Sequence, residues 1–351
     1  MNEQHENKKS LFQKILRAIY LVPVLLILVI AGYLYSRAAF IEDTFNYSHV
    51  SMDTMIELRF QASGTRHAEE IKDQVFDEME RLEVLFSRSL ETSEIYELNS
   101  QAGREPVKVS PEVLYVTKRA LEYAKLTDGA FDPTIAPITD LWGFLGHEYR
   151  VPSEQQLAEK LALVDYKQLE IDIEESKIFL PENKMALELG GIAKGFIVDQ
   201  ALAVLEQKGV EHAIINAGGD IGVIGKKPDG ESWQIGVRSP REKQGFVAVI
   251  PVSDQAVASS GDYERAFEED GVDYHHILDP ETGMPARKLA SVTIIADTVL
   301  EADALSTSVF VLGPERGMEI IEQKPGVEGI LITPDLEKNI SSGLEDIIEI
   351  D

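Results

Sequence analysis

Residues 188–222 read ELGGIAKGFIVDQALAVLEQKGVEHAIINAGGDIG, and the fold class turns on how this stretch divides. Ile197–Lys208 reads as a helix that stops at Gly209. Ala213–Asn216 is a short apolar strand that runs into the turn Ala217-Gly218-Gly219-Asp220. Elsewhere strands and helices are interspersed without a regular βαβ rhythm. Met55–Phe60 alternates like a strand, and Ala68–Phe86 carries Ile71, Val75, Met79, Leu82, Leu85 and Phe86 at helical spacing among charges. Ser110 is placed to cap a helix over Pro111–Leu126 that ends at Asp128-Gly129. Val151–Val164 and Leu300–Leu312 also read as helices. Leu169–Ile173, Lys177–Leu180, Trp233–Val237, Phe246–Val252 and Ser291–Ala296 read as strands. This mixture predicts an α+β fold: a single compact mixed α/β body, with room for two lobes.

The 351 residues are 44% hydrophobic, enough for a large core. No cysteine is present, which excludes disulfides, thiolate metal sites, a cysteine nucleophile and a lipid-modified N-terminal cysteine. The net charge of −28 argues against nucleic acid as a partner, because phosphate binding needs a basic face.

That charge is unevenly placed. Residues 1–37 carry a net +3, which leaves −31 for the rest. Between the two lies Ile19–Tyr35, which contains no charge and as a helix would span roughly 26 Å. The stretch predicts a transmembrane anchor over 19–36, with a cleaved signal peptide as the other reading. Lysines precede it, so the N-terminus would stay inside and the body would be extracytoplasmic. The expected organisation is a basic N-terminus over 1–18, the anchor over 19–36, a linker over 37–50 and the catalytic body over 51–351.

Five polar, glycine-rich segments interrupt the core pattern. Asp128-Gly129-Ala130-Phe131-Asp132-Pro133-Thr134 reads as a tight turn at a helix end or as part of a site. In Glu188–Phe196, glycines would let the backbone approach a ligand, and the following helix would turn free N–H groups toward a phosphate, with Lys194 adding charge. The spacing matches neither the P-loop nor the dinucleotide fingerprint, and a plain loop-to-helix turn is the alternative. Asn216–Gly222 is a strand end turned by glycines. His275 and His276 adjoin on an extended segment, so they point to opposite faces and cannot easily share one metal. Asp303 and Thr307 lie one helical turn apart, an oxygen set suited to Mg²⁺ or simply a first helical turn. Together the segments suggest a Mg²⁺-assisted site for a phosphorylated ligand.

Their order resembles the FAD:protein FMN transferase family, the ApbE-type flavin transferases. The matching strings are FSRSLETSEIYELN, DGAFDPTIAPITDLWGF, ELGGIAKGFIVD, NAGGDIGVIG, ASSGDYERAF, HHILDPETGMP and EADALSTSVFVLG, from Phe86 to Gly313. The resemblance implies an ApbE-like body that binds FAD with Mg²⁺ and transfers FMN to a threonine hydroxyl of an acceptor protein, releasing AMP. The acceptor would be a redox protein bearing an Asp-Gly-x-Ser/Thr-x-Ala-Thr motif. Asp303 and Thr307 match the family's side-chain ligands for Mg²⁺, and Gly191 matches a carbonyl ligand. Glu188 and Lys194 match FAD contacts, Ile277 a backbone contact, and Met52, Ala130, Phe131 and Asp132 lie near flavin-contact positions. His276 matches the histidine beside the nucleotide and is the expected base, with Asp303 as the second catalytic residue. Ser89 stands where many members have a tyrosine against the flavin, within Ser87-Arg88-Ser89. With water as nucleophile the same site would be an FAD pyrophosphatase; without turnover it would be a membrane-tethered flavin-binding protein.

Overall fold

The structure is a computed structural model that describes residues 43–146, 148–242, 245–345 and 349–350. In chain order the first half runs β1 (Asp43–Ser51), β2 (Thr54–Ala62), α1 (Thr65–Phe86), α2 (Glu94–Ser100), β3 (Val107–Lys108), α3 (Pro111–Leu126), α4 (Ala136–Trp142), α5 (Glu154–Leu161), β4 (Glu170–Asp172) and β5 (Lys177–Phe179). The second half runs α6 (Ala193–Gln207), β6 (Ala213–Ala217), β7 (Asp220–Ile224), β8 (Trp233–Arg238), β9 (Phe246–Val252), β10 (Ala256–Gly261), β11 (Ala266–Glu269), β12 (Val272–His275), β13 (Ser291–Ala296), α7 (Val299–Leu312), α8 (Pro314–Gln323), β14 (Glu328–Ile332), β15 (Lys338–Ile340) and β16 (Glu349–Ile350).

Eight strands form the main sheet in the order β1-β2-β6-β7-β10-β13-β14-β15, and its described pairings are antiparallel. Its central strands are buried on both faces, as β13 shows. Val292, Ile294 and Ala296 join the core shared with α1, α6 and α7, while Ile295 joins a second core with Trp233, Ile235 and Ile250 of β8 and β9. The sheet is therefore the middle layer, between helices and the small sheet β16-β9-β8. A third cluster of Ile138, Trp142, Phe144 and Leu278 packs α4 against the segment after β12. The mixed α/β body agrees with the composition and pattern of the chain. β1 occupies Asp43–Ser51, where the sequence suggested a linker. It alternates Phe45, Tyr47 and His49 inward and pairs along its length with β2, so it is part of the sheet.

Three hairpins use two-residue turns with both central residues in the left-handed region. These are Met52-Asp53, Gly218-Gly219 and Asp270-Gly271. Such turns match the twist of antiparallel strands. At Gly218 the lack of a side chain is required sterically too, since a Cβ would lie 2.3 Å from Thr54 Oγ1.

The expectation of a membrane-spanning helix is corrected. Among the described residues no helix is long and apolar enough to cross a membrane. The longest of them, α1, has 22 residues and is charged along one face (TRHAEEIKDQVFDEMERLEVLF). The stretch 19–36 lies outside the described residues. The membrane partner, the single-pass anchoring and the extracytoplasmic placement drawn from that helix fall with it.

Candidate active site

The site forms where α6 crosses α7. Buried residues line α7 on nearly every side, so this helix runs through the interior. Its N-terminus is tied down twice. Thr298 Oγ1 accepts from the Glu301 amide at 3.2 Å, and the Asp199 carboxylate of α6 accepts from Val299 and Leu300 at 2.8 and 3.0 Å. Burial raises the Asp199 pKa to about 6, against the pull of those two amides. Gly195 makes the crossing possible, because a Cβ there would lie 2.5 Å from the Val299 carbonyl oxygen.

This packing brings two buried carboxylates to one lysine. Asp220 opens β7 and is 1% exposed; Asp303 of α7 is 5% exposed. Lys194 Nζ lies 2.7 Å from Asp220 Oδ2 and donates to the Ala217 carbonyl at 3.3 Å. Asp303 Oδ2 accepts from the Gly195 amide at 3.0 Å. Burial, then the charge of Asp220, pushes Asp303 well above the usual carboxylate range. Burial also raises Asp220, although Lys194 opposes it. Lys194 is pulled down by burial but held charged by Asp220 and Asp303, which outweigh it. The sequence suggested free N–H groups at the start of this helix, with Lys194 adding charge for a phosphate. Instead α6 begins at Ala193, Gly195 donates to Asp303, and Lys194 is paired.

Thr307 follows Asp303 on α7, and the Gly191 backbone lies against it. A Cβ on Gly191 would be 3.3 Å from Thr307 Oγ1 and 3.2 Å from Phe131 Cε2. The Asp128–Thr134 segment thus packs its aromatic ring beneath the glycine loop. Ala130 is half-buried at its edge. The Asp132 side chain is committed to the protein: Oδ1 accepts from the Thr134 amide and hydroxyl, and Oδ2 from the Tyr166 amide at 3.0 Å. Glu188 Oε1 accepts from the Gly190 amide at 2.9 Å, and Oε2 from Arg88. Arg88 also reaches Asp140 at 2.7 Å, so the residue before Ser89 ties α1 to the glycine loop and to α4. Ser89 itself is exposed and touches Ser87 Oγ.

The rim of the site is made of turns. Met52 is half-buried with φ 53°, held by a hydrogen bond of 2.8 Å from its amide to Glu83, which also accepts from Ser51 Oγ. His275 and His276 part company after β12. His275 is buried against Phe310, its Nε2 2.7 Å from the Ala286 carbonyl oxygen. His276 lies edge-on to Phe144, and among the described residues its buried Nδ1 has no hydrogen-bond partner. Burial, then the nearby Arg265 guanidinium, lowers its pKa to about 4, so the ring is neutral at pH 7. Ile277 is buried, and its carbonyl already accepts from the Ala286 amide.

The structure therefore gathers Gly191, Lys194, Asp303 and Thr307 closely, with Phe131 below and Glu188 beside them. Among the described residues no hydrogen bond joins His276 to them; the Lys194 charge is only the smallest of the influences on its ring. Ser89 stands apart except through Arg88. Sequence reasoning missed the Asp220 side chain, having read its turn only for backbone. The available signal was a lone carboxylate opening an otherwise apolar strand. Glu264 was also missed: burial raises its pKa while Lys194 opposes. A surface groove of about 420 Å³, lined by Tyr47, Arg59, Asn216 and Gln234 among others, contains none of the expected site residues.

The class of protein is a layered antiparallel body that holds a lysine–carboxylate centre between sheet and helices. The ApbE family model matches residues 52–331, and the chain belongs to this family of FAD:protein FMN transferases. An FAD:protein FMN transferase of Klebsiella pneumoniae (strain 342) is 34% identical over 300 residues, covering 85% of this chain and 92% of that protein. One from Treponema pallidum (strain Nichols) is 34% identical over 322 residues, covering 87% and 89%. The ApbE protein of Thermotoga maritima superposes with a TM-score of 0.81 at 35% identity, over 86% of this chain and 98% of that one. Flavin transferase ApbE from Vibrio cholerae does so with a TM-score of 0.78 at 30% identity, over 87% and 99%. At the family level the chemistry is enzymatic transfer of FMN from FAD.

Proposed function

We propose that this protein transfers FMN from FAD to a threonine hydroxyl of an acceptor protein and releases AMP. The observation that carries the reading is the convergence of Lys194, Asp220, Asp303 and Thr307 beside a neutral imidazole, inside the region matched by the family. The acceptor hydroxyl attacks the FMN phosphorus, a P–O bond to the AMP half breaks, and AMP leaves with the bridging oxygen. The hydroxyl proton passes to a base. His276 is neutral at pH 7 and able to accept it; the phosphates of FAD beside the ring would raise its basicity above that of the empty site. Lys194 offsets phosphate charge, and Glu188 shapes the glycine loop against the ligand. Met52, Ala130, Phe131 and Ile277 would contact FAD at the rim and floor. Ser89 leaves that side without an aromatic face.

The residues present fit Mg²⁺. Among the described residues no group of three or more His, Cys, Asp or Glu side chains is placed to hold a metal. A carboxylate from Asp303, a hydroxyl from Thr307 and the Gly191 carbonyl instead make a mixed set of hard oxygen donors, the kind Mg²⁺ prefers. Two buried carboxylates against one lysine leave room for further positive charge. When bound, Mg²⁺ would neutralise charge on the diphosphate.

The test is to mix the protein with FAD, Mg²⁺ and a small protein bearing the Asp-Gly-x-Ser/Thr-x-Ala-Thr motif. Flavin fluorescence on the denatured acceptor, lost with EDTA, is the expected result. A dark acceptor with free FMN and AMP would replace transfer by hydrolysis, and intact FAD would remove the proposal.

A further inference from the structure

Hairpin β11–β12 places at the rim a cation to which the motifs assign no role. Its ladder ends where Ala266 pairs with His275, so Arg265 and His276 are the residues just outside that last pair, and the guanidinium charge reaches the His276 ring. The Arg265 backbone is left-handed, with φ 35°, a conformation that a long side chain adopts only where its surroundings impose it. Its nearest carboxylate is Asp53 Oδ2 at 3.9 Å, beyond hydrogen-bond range; the Arg265 side chain is half exposed, at 49%, and that of Asp53 84% exposed. Among the described residues the guanidinium makes no hydrogen bond, whereas Arg88 and Arg241 each engage two carboxylate oxygens. Lys194 is less exposed, at 26%, and shares its charge with Asp220 at 2.7 Å, so it offsets only part of the charge of a diphosphate.

An uncommitted guanidinium beside the imidazole, at the mouth of a body with a large net negative charge, suits a ligand with paired phosphate oxygens. The planar fork of arginine matches that geometry where a lysine would offer only a point charge. We propose that Arg265 binds the diphosphate of the dinucleotide substrate beside His276, exchanging its loose contact with Asp53 for phosphate oxygens. This rests on the FAD reading above. It makes the β1–β2 turn and the start of β11 two sides of one ligand-binding mouth, with Asp53 as the resting partner of the arginine.

The experiment titrates the full chain with FAD, ADP and riboflavin, comparing wild type with Arg265→Gln and Arg265→Lys. Arg265→Gln is expected to weaken FAD and ADP about 10- to 100-fold, the range for one charge-assisted hydrogen-bonded contact, and to leave riboflavin unchanged. Arg265→Lys should recover part of the loss. Equal FAD affinity in wild type and Arg265→Gln overturns the assignment, as does a loss shared equally with riboflavin. A wild-type chain that binds ADP but not FAD removes the FAD reading alone. The ADP ratio between wild type and Arg265→Gln then still decides for or against Arg265.

Discussion

The inner half of the site and its rim are built in different ways. Lys194, Asp220, Asp303 and Thr307 stand on α6, β7 and α7, whose crossing is fixed by Gly195 and by the Asp199 carboxylate. Met52, Asp53, Arg265 and His276 stand on turns and at a hairpin end, three of them in or beside left-handed backbone. The inner half concentrates charge where water is excluded and small displacements are resisted. Among the described residues the rim presents unpaired polar groups: an imidazole nitrogen without a partner and an arginine without a hydrogen bond. Rigid elements hold charge in place; loops present groups to ligands that come and go.

If that division holds, the largest loss comes from the inner half. Asp303→Asn keeps the volume but removes the charge, and transfer is expected to fall at least about 10²–10³-fold, read as flavin fluorescence on the denatured acceptor. Because burial and Asp220 already disfavour the charged form, the same variant should unfold no more easily than wild type in urea without metal. An active Asp303→Asn enzyme would dissolve the distinction between the halves.

At the rim, His276→Gln is expected to lower the transfer rate about 10²-fold while FAD still binds. The same substitution has a pH signature. The folded pKa of His276 is about 4 against an ordinary 6.5, so the native state resists protonation that the unfolded chain accepts. Stability from this group is full above pH 6.5 and is lost as pH falls from 6.5 to 4. Thermal midpoints measured across that window should therefore fall less steeply for His276→Gln than for wild type. Parallel curves would show that the imidazole is more solvated than its surroundings imply.

The two halves also differ in how far they could be read from sequence. Asp303, Thr307, Gly191 and Lys194 lie in contiguous strings on regular elements, where spacing translates directly into geometry. The helix over Pro111–Leu126 was legible for the same reason: a cap at Ser110, a proline in the first turn and a stop at Asp128-Gly129 all lie within one segment. Asp220 and Arg265 were not, because their roles come from contacts between segments distant in the chain. Asp220 meets Lys194 only once β6–β7 is folded beside α6, and Arg265 is brought near His276 only when the β11–β12 hairpin pairs Ala266 with His275. Likewise β1 shows a strand's alternation, but its membership of the sheet depends on pairing with β2. The membrane helix differs in kind: its apolar run lies outside the described residues, and no described helix is long and apolar enough to cross a membrane.

The crossing itself can be tested by filling it. Gly195→Ala would place a Cβ 2.5 Å from the Val299 carbonyl oxygen and 2.7 Å from Leu300 Cα, both backbone atoms that cannot swing aside. Separating α6 from α7 is expected to destabilise the fold by about 1–3 kcal/mol in urea unfolding. Transfer should fall with it, since Gly195 also orients Asp303. Unchanged stability would mean that the helices have slack, and the inner half would no longer count as rigid.

The smallest effect is expected at the β1–β2 turn. Met52 and Asp53 both adopt left-handed backbone without being glycine, which disfavours the turn unless something holds it. Glu83 supplies that hold by accepting from Ser51 Oγ and from the Met52 amide. Glu83→Ala should cost about 1–2 kcal/mol locally, the range for hydrogen bonds to a charged acceptor. The readout is amide hydrogen exchange. Met52 and Asp53 should exchange faster while the amides of α7 keep their protection, and FAD affinity should weaken a few-fold. If α7 also loses protection, the turn and the helix crossing belong to one cooperative unit, and the rim is as structural as the interior it borders.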